Sequence, residues 1–126
     1  MKHVAIAVSI LVVLLCLCVL ASVYVRNRAA ETIAPVLRAQ ALAAQENYTA
    51  AAGEILQAKT IWHDAEAWLE ILLPHDEADE ASRVLASLYE YARVEDTDDF
   101  SAASAELVFL LEHIRQMQLP TLQNIL

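Results

Sequence analysis

From Val4 to Val25 the chain runs 22 residues without a charge. At about 1.5 Å per residue, a helix of that length reaches roughly 33 Å and can cross the hydrocarbon layer of a bilayer. Lys2 precedes the run, and Arg26 and Arg28 close it. Residues 1–28 are therefore expected to form an N-terminal transmembrane anchor. From Pro35 onward the pattern changes. Leu37, Ala41, Ala44, Tyr48, Ala51, Ile55, Ala58, Trp62, Ala65, Leu69 and Leu72 alternate steps of four and three, the spacing of one coiled-coil-like helical seam. Pro35 suits the first turn of a helix, and Glu31 or Thr32 marks a break from the membrane segment. The seam predicts one helix of roughly 37 residues, about 55 Å long. Its first half is mostly alanine and predicts a stalk over 29–58. Its second half carries Trp62, Trp68 and Leu69 and predicts core.

Pro74 stops or kinks that helix. Ala78, Ala81, Leu85, Leu88 and Ala92 predict a second one, with Asp76, Glu77, Asp79 and Glu80 in the first turns, where the helix dipole favours acid. Glu95 to Asp99 reads as a polar turn, with Asp98 or Asp99 capping a third helix whose seam is Phe100, Ala103, Leu107, Leu110, Ile114 and Met117. Pro120 is expected to end that helix before a short apolar tail, Leu122 to Leu126. The fold class expected is all-α: an N-terminal transmembrane helix, a long helical stalk, and a small antiparallel helical bundle over 59–126.

Composition narrows the function classes. The chain has 126 residues, 58% of them hydrophobic, and a formal charge of −9, with all its acid downstream of Arg28. A surface that negative repels phosphates, so no nucleic acid partner is expected. Gly53 is the single glycine, which removes phosphate-cradling loops. Cys16 and Cys18 both lie in the apolar run, two apart on a helix and pointing away from each other. Leu15 and Leu17 stand before them, where a lipoprotein anchor needs small residues. A cleaved secretory signal ending at Ala21 is one alternative to the anchor. Apolar character continues through Val25, however, and Tyr24 suits the aromatic belt of a spanning helix, so the uncleaved anchor is the expectation. For orientation, Arg26 and Arg28 favour a cytoplasmic C-terminus, while the Met1-Lys2-His3 start reads as a signal-anchor that exports the C-terminal domain. Export is the expectation.

Four residues invite a metal reading. His75 and Asp79 share a helix face, and Glu112 and His113 lie on the third helix, an imidazole and carboxylate set plausible for zinc or a similar ion. The commoner role of such residues is capping and bundle hydrogen bonding, and no His-Glu-x-x-His or Cys-x-x-Cys signature accompanies them. The Glu95–Asp99 cluster lacks the glycine and terminal glutamate of a calcium loop and reads as a solvated turn. Trp62 and Trp68, six apart, could form an aromatic ligand surface but more often belong to a core. No serine or cysteine occupies a nucleophile motif, and no cofactor or catalytic residue is expected.

Trp68, then His75-x-Glu77-x-Asp79, Leu85, Leu88 and Tyr91 form an ordered set. It continues with Leu107-x-Phe109-Leu110-Leu111-Glu112-His113-Ile114 and Asn124-Ile125-Leu126. From Trp62 to Leu126 the chain resembles an uncharacterised bacterial family, domain of unknown function 4363, and the N-terminal apolar segment extends the resemblance to nearly the whole chain. The resemblance implies a small membrane-anchored or exported helical protein and brings no activity or catalytic residue.

The functional expectation is a single-pass membrane protein, not an enzyme, with an extracytoplasmic bundle that serves as an interaction or assembly module. Its partners would be lipid through residues 4–25 and another membrane or envelope protein. The alternative is a metal- or small-ligand-binding sensor using His75/Asp79 and Glu112/His113. The alanine seam from Ala41 through Ala58 further predicts weak parallel self-association through residues 37–58.

Overall fold

The computed structural model describes residues 1–117, and the expectations for Pro120, Leu122 to Leu126 and Asn124-Ile125-Leu126 lie outside the described residues. Four helices follow one another: α1 (Lys2–Ala44), α2 (Tyr48–Leu72), α3 (His75–Arg93) and α4 (Thr97–Met117). Each packs on its sequence neighbour, and α4 closes back on α1. The result is an up-down-up-down four-helix bundle, from which the N-terminal half of α1 protrudes.

α1 does not break at Glu31 or Thr32. It continues through Pro35 to Ala44 as one helix of 43 residues. Proline in a helix interior removes a backbone donor and normally kinks or breaks the helix. Here tertiary burial outweighs that cost. Val25, Ala29, Thr32, Val36 and Ala39 step by four and three along one face, and all five are closed off from solvent. The Thr32 hydroxyl, fully buried, donates to the Arg28 carbonyl oxygen at 2.8 Å, so this hydroxyl is satisfied within the helix. The apolar run and the first bundle helix are thus the same rod.

The helix expected over 35–72 is instead a hairpin, and the stalk expected over 29–58 is bundle core. The chain turns at Gln45-Glu46-Asn47. Glu46 sits at φ 60, the Asn47 N–H donates to the Leu42 carbonyl at 2.9 Å, and the Glu46 N–H donates to Ala43 at 2.9 Å. This is a Schellman ending. Asn47 then caps α2, its side-chain oxygen accepting from the Ala50 N–H at 3.3 Å. Arg38 and Glu54 form an ion pair at 2.9 Å across the hairpin; on one straight helix, 16 residues would separate them by about 24 Å. The α3–α4 connection repeats the device. Glu95 has φ 58, the Asp96 N–H reaches the Tyr91 carbonyl at 2.9 Å, and the Asp96 side chain accepts from the Asp99 N–H at 3.1 Å. The cap of α4 is therefore Asp96, not Asp98 or Asp99, because only Asp96 lies three residues ahead of a free first-turn N–H.

Both left-handed positions are glutamates, while the single glycine, Gly53, lies inside α2 without a positive φ. A Cβ added at Gly53 would meet nothing within 4 Å. Glu46→Gly, Glu95→Gly and Gly53→Ala are each expected to stabilise the bundle by about 0.5–1 kcal/mol. Thermal unfolding followed by circular dichroism checks this, and a fall in midpoint for Glu46→Gly or Glu95→Gly would contradict the turn geometry.

From Tyr48 the expected seam becomes the inward face of α2: Tyr48, Ala51, Ile55, Ala58, Trp62, Ala65 and Leu69 are all buried. Leu37, Ala41 and Ala44 lie on the outer side of α1 instead. Ala51 and Ala58 are completely covered inside one chain, whereas Ala41 and Ala44 stay exposed. Trp62 is core as expected, and its indole N–H donates to the Ser82 hydroxyl at 3.1 Å. Trp68 is not core: it is 61% exposed, one position off the buried row that ends at Leu69. The seams of α3 and α4 lie where the spacing places them, except that Leu111 rather than Leu110 is fully buried and Met117 is exposed.

Candidate functional site

The four expected metal ligands are placed near the same end of the bundle but not gathered. His75 opens α3 and is exposed, as are Asp79 one turn on and His113 near the end of α4. Glu112 is engaged by its neighbour, Oε2 accepting from Arg115 Nε at 3.1 Å and Nη2 at 2.7 Å. Among the described residues, no three His, Cys, Asp or Glu side chains stand close enough to hold an ion. The physical reason is the outward orientation of both histidines: the inward faces of α3 and α4 at this level are taken by Ala78, Leu111 and Ile114. His63, the remaining histidine of α2, pairs with Glu66 at 2.9 Å on the surface. The metal-sensor reading is not carried further.

The surface acid has a local arrangement of its own. Arg28–Glu31, Glu80–Arg83, Glu90–Arg93 and Glu112–Arg115 are all ion pairs three residues apart on exposed helix faces. The hydrogen bond from Arg83 holds the Glu80 carboxyl below the usual range. At the α3–α4 turn, the hydrogen bond with Asp96 and the neighbouring negative charges push Asp99 up. The Glu95–Asp99 segment is a turn with exposed acids, as the sequence suggests, with Asp96 as its cap.

Two features are built across helices. At the end remote from the apolar run, the Tyr48 and Thr97 hydroxyls hydrogen-bond to each other. The Tyr48 and Phe100 rings meet edge to face with centroids 6.3 Å apart, and Gln40 Nε2 donates to Ser104 Oγ at 3.0 Å. These contacts tie the two turns together. Tyr48 also stands between two shallow grooves, one of about 350 Å³ that includes Gly53 and Tyr89, and one of about 220 Å³ that includes Gln40 and Ser101.

At the opposite end, Leu17, Leu20, Ala21 and Tyr24 of α1 meet Trp68 and Leu72 of α2 around an apolar groove of about 440 Å³. Ile71 beside it is 74% exposed. The sequence offered a cue that its seam reading passed over. Trp68 and Ile71 each fall one residue short of a seam position, the buried Leu69 and the half-buried Leu72, so they share an adjacent, outward row.

Below this groove, α1 is apolar and bare. Its N-terminal part is long and apolar enough to cross a membrane, and none of that stretch is buried in the bundle. The model of one family, described as a domain of unknown function (DUF4363), matches residues 19–125. The chain belongs to the DUF4363 family. The match begins inside α1 and takes in the bundle, so the DUF4363 domain here includes the upper part of the apolar run as well as the four packed helices. No curated protein and no solved structure matches the chain.

Proposed function

We propose that this DUF4363 protein is a single-pass membrane-anchored helical module, without catalysis of its own, whose extracytoplasmic bundle holds or assembles another membrane or envelope protein. The observation that carries this reading is the continuity of α1, in which one helix supplies both the apolar run and a full side of the bundle core. A flexible tether would suit a domain that must search for substrate. A rigid one suits a part that fixes the position and angle of a partner relative to the bilayer. The net charge of −9 favours a basic or polar protein surface as partner, rather than nucleic acid or anionic headgroups.

Two experiments test it. A reporter active only outside the cytoplasm, fused after Leu126, should be active; silence from a well-expressed fusion would reverse the orientation and make Arg26 and Arg28 the better guide. Affinity capture of the full chain from gently solubilised membranes should return one defined partner in constant ratio, with a second copy of the chain counted among the outcomes. Repeated recovery of the bare protein, with no phenotype on deletion, would contradict the assembly role.

A further inference from the structure

The apolar groove at the foot of the bundle constrains how deeply the protein can sit. Leu17 and Leu20 belong to the apolar run and remain exposed, yet they share a groove with Trp68 and Leu72 of the α2–α3 corner. If the bundle stood wholly clear of the bilayer, only Val4 to Cys16 would remain to cross it, 13 residues or about 20 Å of helix. The hydrocarbon layer is about 30 Å thick. Val4 to Val23 supplies that length, at about 30 Å, but only with the level of Leu17 to Val23 inside the hydrocarbon. The corner that touches this level must then enter the same leaflet.

The chemistry of the corner fits that depth. Ile71-Leu72-Leu73-Pro74 is an uncharged run between Glu70 and His75, with Ile71 exposed and Leu73 buried beneath it. Tyr24 and Trp68, on different helices, line the same groove and share the amphipathic character that places such rings at the headgroup boundary. Arg26 and Arg28 come immediately after on α1, and the Arg28 guanidinium lies 5.3 Å from the centre of the Tyr24 ring, where a cation would mark the edge of the polar region.

We infer that the α2–α3 corner is a second membrane contact, with Trp68, Ile71 and Leu72 dipping into the leaflet beside the span and lipid acyl chain filling the groove against Leu17, Leu20 and Tyr24. The inference rests on the membrane-anchored reading above and adds to it a lipid-facing surface outside the span. Two contacts, one through α1 and one through the corner, restrain the tilt of the rigid helix and bundle in the bilayer more tightly than the span alone.

The test uses the full chain in phosphatidylcholine vesicles, with a fraction of the lipid brominated on its acyl chains. The emission of Trp68 is obtained as the difference between the chain and Trp68→Phe, which leaves the buried Trp62 in both. A fluorophore on Cys16, in a Cys18→Ser background, reports insertion of the span. The expected result is that brominated lipid quenches the Cys16 label and most of the Trp68 emission, while aqueous iodide quenches little of either. If the Cys16 label is quenched but Trp68 answers to iodide and not to lipid, the corner stands in water and the inference fails while the anchor survives. If neither quencher reaches Trp68, protein covers the corner and lipid does not. If the Cys16 label also escapes the lipid, the membrane-anchored reading falls and the inference falls with it.

Discussion

Trp62→Ala is expected to cost about 3–5 kcal/mol of folding stability, the usual range for deleting a large aromatic side chain from a core. Trp62 is only 2% exposed, and its indole N–H is satisfied by Ser82, whose hydroxyl in turn donates to the Ala78 carbonyl at 3.1 Å. Alanine leaves a cavity between α2 and α3 and strands part of that chain. Domains of this size have about 5–15 kcal/mol in total, so the variant should unfold at far lower temperature or denaturant concentration. Trp68→Ala, six residues on, should shift folding stability by less than about 0.5 kcal/mol, because Trp68 lies outside the packed face. Unfolding of both variants in the same detergent separates them. Equal losses would mean that Trp68 is core after all and that the described register of α2 is wrong.

The second large effect concerns the apolar run. Val4 to Val25 contains fourteen valine, isoleucine and leucine residues. At about −0.3 to −0.6 kcal/mol each, they favour insertion by roughly 4–8 kcal/mol. Replacing Ile10, Leu11, Leu14 and Leu15 together with arginine adds about 10–14 kcal/mol against insertion while removing part of the favourable sum, so the balance reverses. All four side chains are exposed and touch nothing in the bundle, and the helicity of residues 25–117 should survive. The variant is expected to leave the membrane fraction after an alkaline wash, with the bundle still folded. Retention in that fraction would show that something other than the apolar run holds the protein there.

The sequence carried the helical class, the Pro74 corner and most inward positions of α2, α3 and α4, because each has an unambiguous four-three spacing. It concealed the hairpin at residues 45–47. The turn occupies three residues between Ala44 and Tyr48, so the spacing passes through it without a missed step, and no glycine or proline marks it. The signal present was chemical and faint: Asn47 as a cap, and a Glu-Asn pair that recurs as Glu95-Asp96 at the other turn on the same end. There, four nearby acids made the break obvious. Pro35 misled in the opposite direction, since a proline reads as a helix start, and its tolerance inside α1 depends on burial of Ile33, Val36 and Ala39 against elements distant in sequence.

The candidate surfaces were less legible for a related reason. His75 and Asp79 share a helix face and Glu112 and His113 are adjacent on another helix, yet His75, Asp79 and His113 lie at the surface, and only the packing of α3 against α4 reveals it. The groove at Leu17, Tyr24 and Trp68 joins residues more than forty positions apart, a proximity created by the hairpin and so hidden with it.

The central claim is that one unbroken helix joins the apolar run to the bundle, and a distance across the expected break tests it most directly. With Cys16→Ser and Leu37→Cys, spin labels at Cys18 and position 37, both exposed, lie 19 residues apart on α1. A continuous helix places them about 28 Å apart, and electron-electron double resonance on the full chain in bilayers should return one narrow distribution near that value. A broad distribution, or a mean shortened by a bend between Arg28 and Pro35, would show that the bundle hangs from a joint and would contradict the rigid carriage on which the proposed role depends.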